Sequence, residues 1–219
     1  MIRVALIGGR LDGQAGVVLD MLSYHDEYQV SLIFDSTIDS IGTSKNGIPY
    51  VGNFNEYYDH YSSEYDVVHI AIGDNRARDG YAKFCIANNI ELLTIIHPSA
   101  VVSRKSTVSA GCFIGPNVVI QNGAKIGLAA IVNTAAIIEH DCIIGDFVHI
   151  APGTVLAGRV TIQERSFVGI GSCIIPDIIV GNDAFIGAGS VVTHDLGSDT
   201  FAIGVPARVR DNIYDRKNK

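Results

Sequence analysis

Two folds in series are predicted. An α/β domain with a small Rossmann-like parallel sheet occupies residues 1–97, an all-β left-handed parallel β-helix follows over 98–209, and 210–219 form a C-terminal tail. Two patterns carry this reading. Up to about residue 97, short apolar runs alternate with helix-like segments. From about residue 100, one aliphatic residue recurs at every sixth position. Strand–helix alternation argues for a parallel sheet with helices on its faces. A period of six fits neither a helix face nor a strand, and it points to a coil.

In the first half, Arg3–Ile7 is an apolar run stopped by Gly8-Gly9, and a helix follows through Val17-Val18-Leu19 to Tyr24. Gln29–Phe34 is the next strand, ending at Asp35. Glu56–Tyr61 is a short helix, Asp66–Ile72 a strand stopped by Gly73, Arg76–Ala87 a helix, and Glu91–Ile96 a further strand.

In the second half, counting in sixes from Val102 meets Val108, Ile114, Ile120, Ile126, Val132, Ile138, Ile144, Ile150, Leu156, Ile162, Val168, Ile174, Val180, Ile186 and Val192. Chance agreement over this run is on the order of one in ten million. Four places after each aliphatic the residue is nearly always small, as at Ser106, Ala124, Ala136 and Ser166, with Ile178 the exception. The expected object is a three-sided prism with one hexapeptide per side, the aliphatics forming a continuous inner column. Cys112 and Cys142 occupy the small interior position and read as buried filler. Glycine directly after the aliphatic (Gly127, Gly145, Gly169, Gly181, Gly187) is expected to relieve the backbone at the corner.

Bulk properties exclude several classes. The formal net charge is −7, and the only basic run, Arg208–Lys219, also carries Asp211 and Asp215. No basic footprint for nucleic acid is present. No apolar stretch reaches membrane-spanning length. MIRVALIGG lacks a signal-peptide layout. None of Cys85, Cys112, Cys142 and Cys173 forms a CxxC pair, so a zinc ribbon or redox motif is not indicated. A reducing cytoplasm is the expected location.

Four segments carry a resemblance: IAIGDNRAR (Ile70–Arg78), HPSA (His97–Ala100), the run Asn133–Gly153, and FAIGVPARV (Phe201–Val209). The coil and the last segment resemble the bacterial hexapeptide-repeat acyltransferases. The whole chain resembles the narrower NeuD/PglD-like sugar acetyltransferases. That resemblance implies an acetyl-CoA-dependent N-acetyltransferase acting on the 4-amino group of a UDP-, GDP- or dTDP-linked dideoxy sugar. It also implies a homotrimer with its active site between neighbouring coils. One stretch departs from the family: Gly8–Gly16 lacks the histidine of the usual GASGHG loop and is longer.

Amide formation from a thioester needs a proton acceptor for the attacking amine, polarisation of the carbonyl, and positioning of both reactants. No GxSxG nucleophile motif is present. His140 is the candidate general base. It stands two residues after inward Ile138, between Glu139 and Asp141, and an adjacent carboxylate can fix the imidazole tautomer. The resemblance gives that role to Asp141; Glu139 orients His140 or holds the acceptor. Asn133 positions the acceptor or ladders with neighbouring turns. The resemblance places His149 at the thioester end of acetyl-CoA and the backbone at Ile170 and Ala188 along the cofactor. Gly158 and Gly171 either allow close approach of pantetheine or are ordinary corner glycines.

In the first domain, Gly8, Gly9 and the following helix start can receive a diphosphate through backbone N–H groups. Asp35 is placed for a nucleoside hydroxyl or base edge. Arg10, Leu11, Asp12, Ser36, Gly73 and Asn75 complete the candidate substrate-binding set. Arg78 either joins them or lies on the helix surface. The glycine spacing is a poor dinucleotide fingerprint, so NAD is not expected.

Two other functions use the same coil. O-acetylation of sialic acid or a similar sugar needs the same base. A metal-dependent β-helix hydratase needs three converging histidines, and the coil offers His140, His149 and His194 without a short pair. No metal is expected.

Overall fold

The computed structural model describes residues 1–10, 13–36, 42, 44–45 and 47–210, with 44–45 as backbone only. The chain divides into two compact units, Met1–His97 and Pro98–Lys219.

In the first unit, β1 (Ile2–Ile7), α1 (Gln14–Leu22) and β2 (Tyr28–Phe34) are followed by a small antiparallel pair, β3 (Ser44–Lys45) with β4 (Ile48–Pro49). Then come α2 (Phe54–Tyr57), β5 (Val67–Ile70), α3 (Asn75–Ala87) and β6 (Ile95–Ile96). The main sheet is parallel, in the order β2-β1-β5. Val4–Ile7, Leu32–Phe34 and Val67–Ile70 are buried throughout. Burial on both faces explains why these strands read as continuous apolar runs.

Two sequence expectations change here. The helix expected over Glu56–Tyr61 is a single turn beginning at Phe54, where the Asn53 side chain accepts from the Asn55 N–H at 3.0 Å. The strand expected over Glu91–Ile96 is interrupted. Leu92 makes one parallel bridge to Val68, and only Ile95–Ile96 is extended beyond it. Between them the Leu93 carbonyl accepts from the buried His69 ring, Nδ1 to O 2.8 Å.

The second unit is a three-sided parallel β-helix made of two-residue strands. Partners in successive turns lie eighteen residues apart on every face: Val119 pairs with Ile137, Lys125 with Ile143, and Ile131 with His149. The second residue of each strand points inward. From Ile114 to Val192 this column is buried without a break. Val102 and Val108, in the first turn, are only half-buried.

The small corner residues do more than fill space. Cys112 Sγ donates to the Gly127 carbonyl (3.0 Å), Cys142 Sγ to Ala157 (3.2 Å), Ser166 Oγ to Gly181 (2.6 Å) and Ser172 Oγ to Gly187 (3.1 Å). Each bond satisfies a carbonyl in the next turn, fully buried at Gly181 and Gly187 and part-buried at Gly127 and Ala157.

The corner glycines need a corrected explanation. From Val108 to Ile186, positive φ falls three places after each aliphatic, at Gly111, Asn117, Gly123, Ala129, Ala135, Asp141, Phe147, Gly153, Arg159, Arg165, Gly171, Asp177, Asp183 and Gly189. Gly127, Gly145, Gly169, Gly181 and Gly187 are not among those residues. Four of them face backbone: a Cβ on Gly127 would lie 2.6 Å from the Gly145 carbonyl carbon, and one on Gly169 2.6 Å from the Ala188 nitrogen. A Cβ on Gly187 would instead meet the Ile203 side chain. The requirement is close approach of stacked turns. Among the described residues, no helix is long and apolar enough to cross a membrane.

Candidate functional site

The first unit carries a cavity of about 500 Å³ at the ends of its parallel strands. Gly8, Gly9, Arg10, Asp35, Ser36 and Gly73 line it, as the sequence suggests, together with Gly13, Gln14, Phe34, Ala71, Ile72 and Tyr81. Gly8 has φ +98°, and a Cβ there would meet Ile72 Cγ1 at 2.7 Å. A Cβ on Gly9 would collide with the Asp35 carboxylate and the Tyr50 ring. Both glycines are therefore required by space, and the first also by backbone conformation. Tyr50 Oη donates to the Gly9 carbonyl at 2.9 Å, pinning the turn from below. Burial, with Asp35 adding to it, raises the phenols of Tyr50 and Tyr81 above their ordinary value.

One candidate falls outside this cavity. Asn75 is absent from the wall, and its Oδ1 accepts from Arg78 at 2.9 Å. Leu11 and Asp12 lie outside the described residues. Arg78 is not a surface residue: it is 1% exposed.

On the β-helix, His140 and Asp141 form one corner. His140 Nδ1 and Asp141 Oδ2 are 2.9 Å apart. Asp141 adopts φ +60°, which turns its carboxylate back toward the ring. The Glu139 carboxylate approaches the His140 backbone N–H at 3.4 Å. Stacked corners make room for both side chains. A Cβ on Gly158 would lie 2.5 Å from His140 Nε2, and one on Gly123 would strike Asp141 Oδ1. One and two turns on from Asp141 stand Arg159 and Asp177, paired at 2.5 and 2.7 Å. That guanidinium holds the Asp177 carboxyl below its usual range.

Gly158 lies directly against the His140 ring. It stands apart from the other cofactor candidates, and its missing side chain is the seat of the imidazole.

This two-part architecture matches known proteins. Residues 3–83 match the family described as PglD N-terminal domain, and residues 159–194 match the bacterial transferase hexapeptide (six repeats). The chain is 36% identical to PerB from Caulobacter crescentus, whose structure was solved in complex with CoA and GDP-perosamine. That match covers 95% of this chain and 97% of that one, with a TM-score of 0.87. The chain belongs to the NeuD/PglD-like sugar acetyltransferases. The acetyltransferase domain of PglB from Neisseria gonorrhoeae is 32% identical over 96% of this chain and 100% of that one, TM-score 0.86. WeeI from Acinetobacter baumannii is 26% identical over 96% and 100%, TM-score 0.80. A curated relative, the UDP-3-O-acylglucosamine N-acyltransferase of Cupriavidus pinatubonensis, is 56% identical over 39 residues. This match spans only 18% of the chain and 11% of that protein's length.

In this family member the remaining candidates occupy a different corner from His140. Asn133 Nδ2 and His149 Nε2 are 3.4 Å apart, and Asn133 Oδ1 accepts from the Thr134 N–H at 2.8 Å. The His149 ring meets Phe167 edge-on at 5.1 Å, and Phe167 stacks on Phe185 at 4.7 Å. Ile170 and Ala188 are exposed one above the other, with the Gly189 N–H donating to the Ile170 carbonyl at 2.8 Å. Gly171 has φ +65° and open space where its Cβ would be. Within one chain, the imidazole–carboxylate pair and the Asn133–His149 pair lie at opposite edges of the face that holds Ile137–Ile138.

Sequence reasoning missed Tyr50, Tyr81, Gly123 and the Arg159–Asp177 pair. A signal existed for the last two: Gly123, Asp141, Arg159 and Asp177 are spaced by eighteen, one full turn each. Among the described residues, no group of three or more His, Cys, Asp or Glu is gathered to hold a metal ion.

Proposed function

We propose that this chain transfers the acetyl group of acetyl-CoA to the 4-amino group of a nucleotide-linked dideoxy sugar, with His140 as general base. The observation that carries the reading is the 2.9 Å contact between His140 Nδ1 and Asp141 Oδ2, with Nε2 seated over Gly158. A carboxylate on Nδ1 keeps that nitrogen protonated and leaves the lone pair on Nε2. As the amine attacks the thioester carbonyl, Nε2 takes its proton. Loss of the thiolate then completes the amide, and the imidazolium can return the proton to sulfur.

The neighbours favour an amino sugar, since PerB was solved with CoA and GDP-perosamine and the PglB domain with acetyl-CoA. The cavity with Gly8, Gly9 and Asp35 suits the nucleotide diphosphate. In this reading Asn133 and His149 flank the acyl group, and Ile170, Gly171 and Ala188 follow the cofactor.

Because the two edges are separated in one chain, the site is completed by a second copy, and a homotrimer satisfies this around the prism. Ile143 and Ile179, both 47% exposed on the face next to His140, support such packing. Four cysteines without a disulfide suit a cytoplasmic location.

The test is acetyl transfer from acetyl-CoA to a panel of GDP-, UDP- and dTDP-linked 4-amino sugars, set against hydroxyl acceptors including sialic acid. Turnover of one amino sugar and none of the hydroxyl acceptors is expected. The reverse pattern overturns N-acetylation.

A further inference from the structure

Arg78 is a charged side chain buried to 1% exposure. It sits on the first turn of α3, behind the loop that follows β5. Its guanidinium folds back onto that loop. Nη1 donates to the carbonyls of Ile72 (3.1 Å) and Gly73 (3.2 Å), and Nη2 to Asn75 Oδ1 (2.9 Å). Ile72 and Gly73 are cavity wall. The Ile72 side chain in turn occupies the space a Cβ on Gly8 would need. One guanidinium therefore fixes the loop, the loop abuts the glycine turn, and loop and turn line the same cavity.

Burying a guanidinium is costly unless its donors are satisfied. A lysine carries the same charge but cannot reproduce the planar fork that spans two carbonyls and an amide. The neighbouring His69 is also buried. Burial pushes its ring down to about 4, and the Arg78 charge adds to that shift. His69 thus stays neutral, and Arg78 places a buried positive charge just behind the cavity wall, which itself carries Arg10.

We infer that Arg78 is a positioning residue for the acceptor cavity, holding the Ile72–Gly73 wall against the Gly8–Gly9 turn and supplying positive charge behind an anionic ligand. This rests on the reading of that cavity as the nucleotide-diphosphate site.

The experiment compares the full-length wild type with Arg78→Lys, Asn75→Ala and Cys85→Ala. Cys85 is buried on α3 and is not part of the cavity wall, so its truncation lowers domain stability without touching the wall. GDP, UDP and dTDP are titrated by calorimetry, and steady-state kinetics are run with a GDP-linked 4-amino sugar and acetyl-CoA. For Arg78→Lys, weakening of nucleoside-diphosphate binding and a rise in acceptor KM of about tenfold or more are expected, with kcat and the acetyl-CoA KM within about twofold. Asn75→Ala moves the same two quantities less, and Cys85→Ala leaves them unchanged while lowering Tm. Wild-type binding by Arg78→Lys overturns the inference. So does a Cys85→Ala variant that raises acceptor KM equally, because Arg78 would then act through general stability alone. If the wild type binds acetyl-CoA but no nucleoside diphosphate, the cavity reading itself fails and the inference falls with it.

Discussion

The two halves of this molecule place their functional groups by opposite means. In the β-helix, position follows from counting: six residues advance one side and eighteen advance one turn. His140 lands on Gly158, and Asp141 on Gly123, because each pair is one turn apart. In the α/β unit nothing repeats. Its cavity is assembled from a glycine turn after β1, an acid after β2, and a loop after β5 tied down by a buried arginine. The lesson is that a repetitive scaffold fixes geometry through register, whereas the α/β unit fixes it through individual side-chain contacts. Damage should therefore be local and predictable in the coil, and specific to single residues in the α/β unit.

The largest stability effect should come from the inner column. Ile150→Ala removes a buried aliphatic from a fully packed turn and should cost ~2–5 kcal/mol. Urea unfolding followed by hydrogen exchange should assign that loss to the turns around Ile150 and leave β1, β2 and β5 protected. Loss of protection in those strands as well would break the contrast.

The α/β unit has a pH weakness centred on His69. Its ring is neutral when folded, with a pKa near 4, and titrates at about 6.5 when unfolded. The unfolded chain therefore binds the extra proton first as pH falls. The stabilisation is complete above pH 6.5 and drains away between pH 6.5 and 4. Its size is at most about 3 kcal/mol. His69→Gln should flatten this part of the pH dependence, measured as the Tm of the first unit. An unchanged slope would remove His69 as the cause.

Much of the coil was legible because one period governs it, and the corner position of His140 followed because Ile138 fixes the register; its role as base was read from the family resemblance. The left-handed corner positions were not legible. Phe147, Ala129 and Arg165 adopt positive φ without the Asn or Gly that would announce it, and there stacking overrides residue preference. In the α/β unit the strands were readable as apolar runs. The interruption after Leu92, the pinning of Gly9 by Tyr50 and the burial of Arg78 were not, since each depends on a partner distant in sequence or on a side chain folding back.

Two glycines give the smallest effect and sharpen the distinction between space and conformation. Gly127→Ala drives a Cβ into the backbone of the next turn and should cost ~1–3 kcal/mol. Gly171→Ala meets open space but keeps positive φ, and should cost only ~1 kcal/mol. Thermal unfolding of the two variants should rank them in that order. Equal costs would remove the close-approach explanation for Gly127.

The central claim is that the corner formed by His140, Asp141 and Gly158 carries the chemistry. Steady-state kinetics of His140→Ala, with acetyl-CoA and a GDP-linked 4-amino sugar, test it most directly. The account predicts a fall in kcat of about 10²–10⁴-fold with the acetyl-CoA KM nearly unchanged. A variant that turns over at close to the wild-type rate would contradict it.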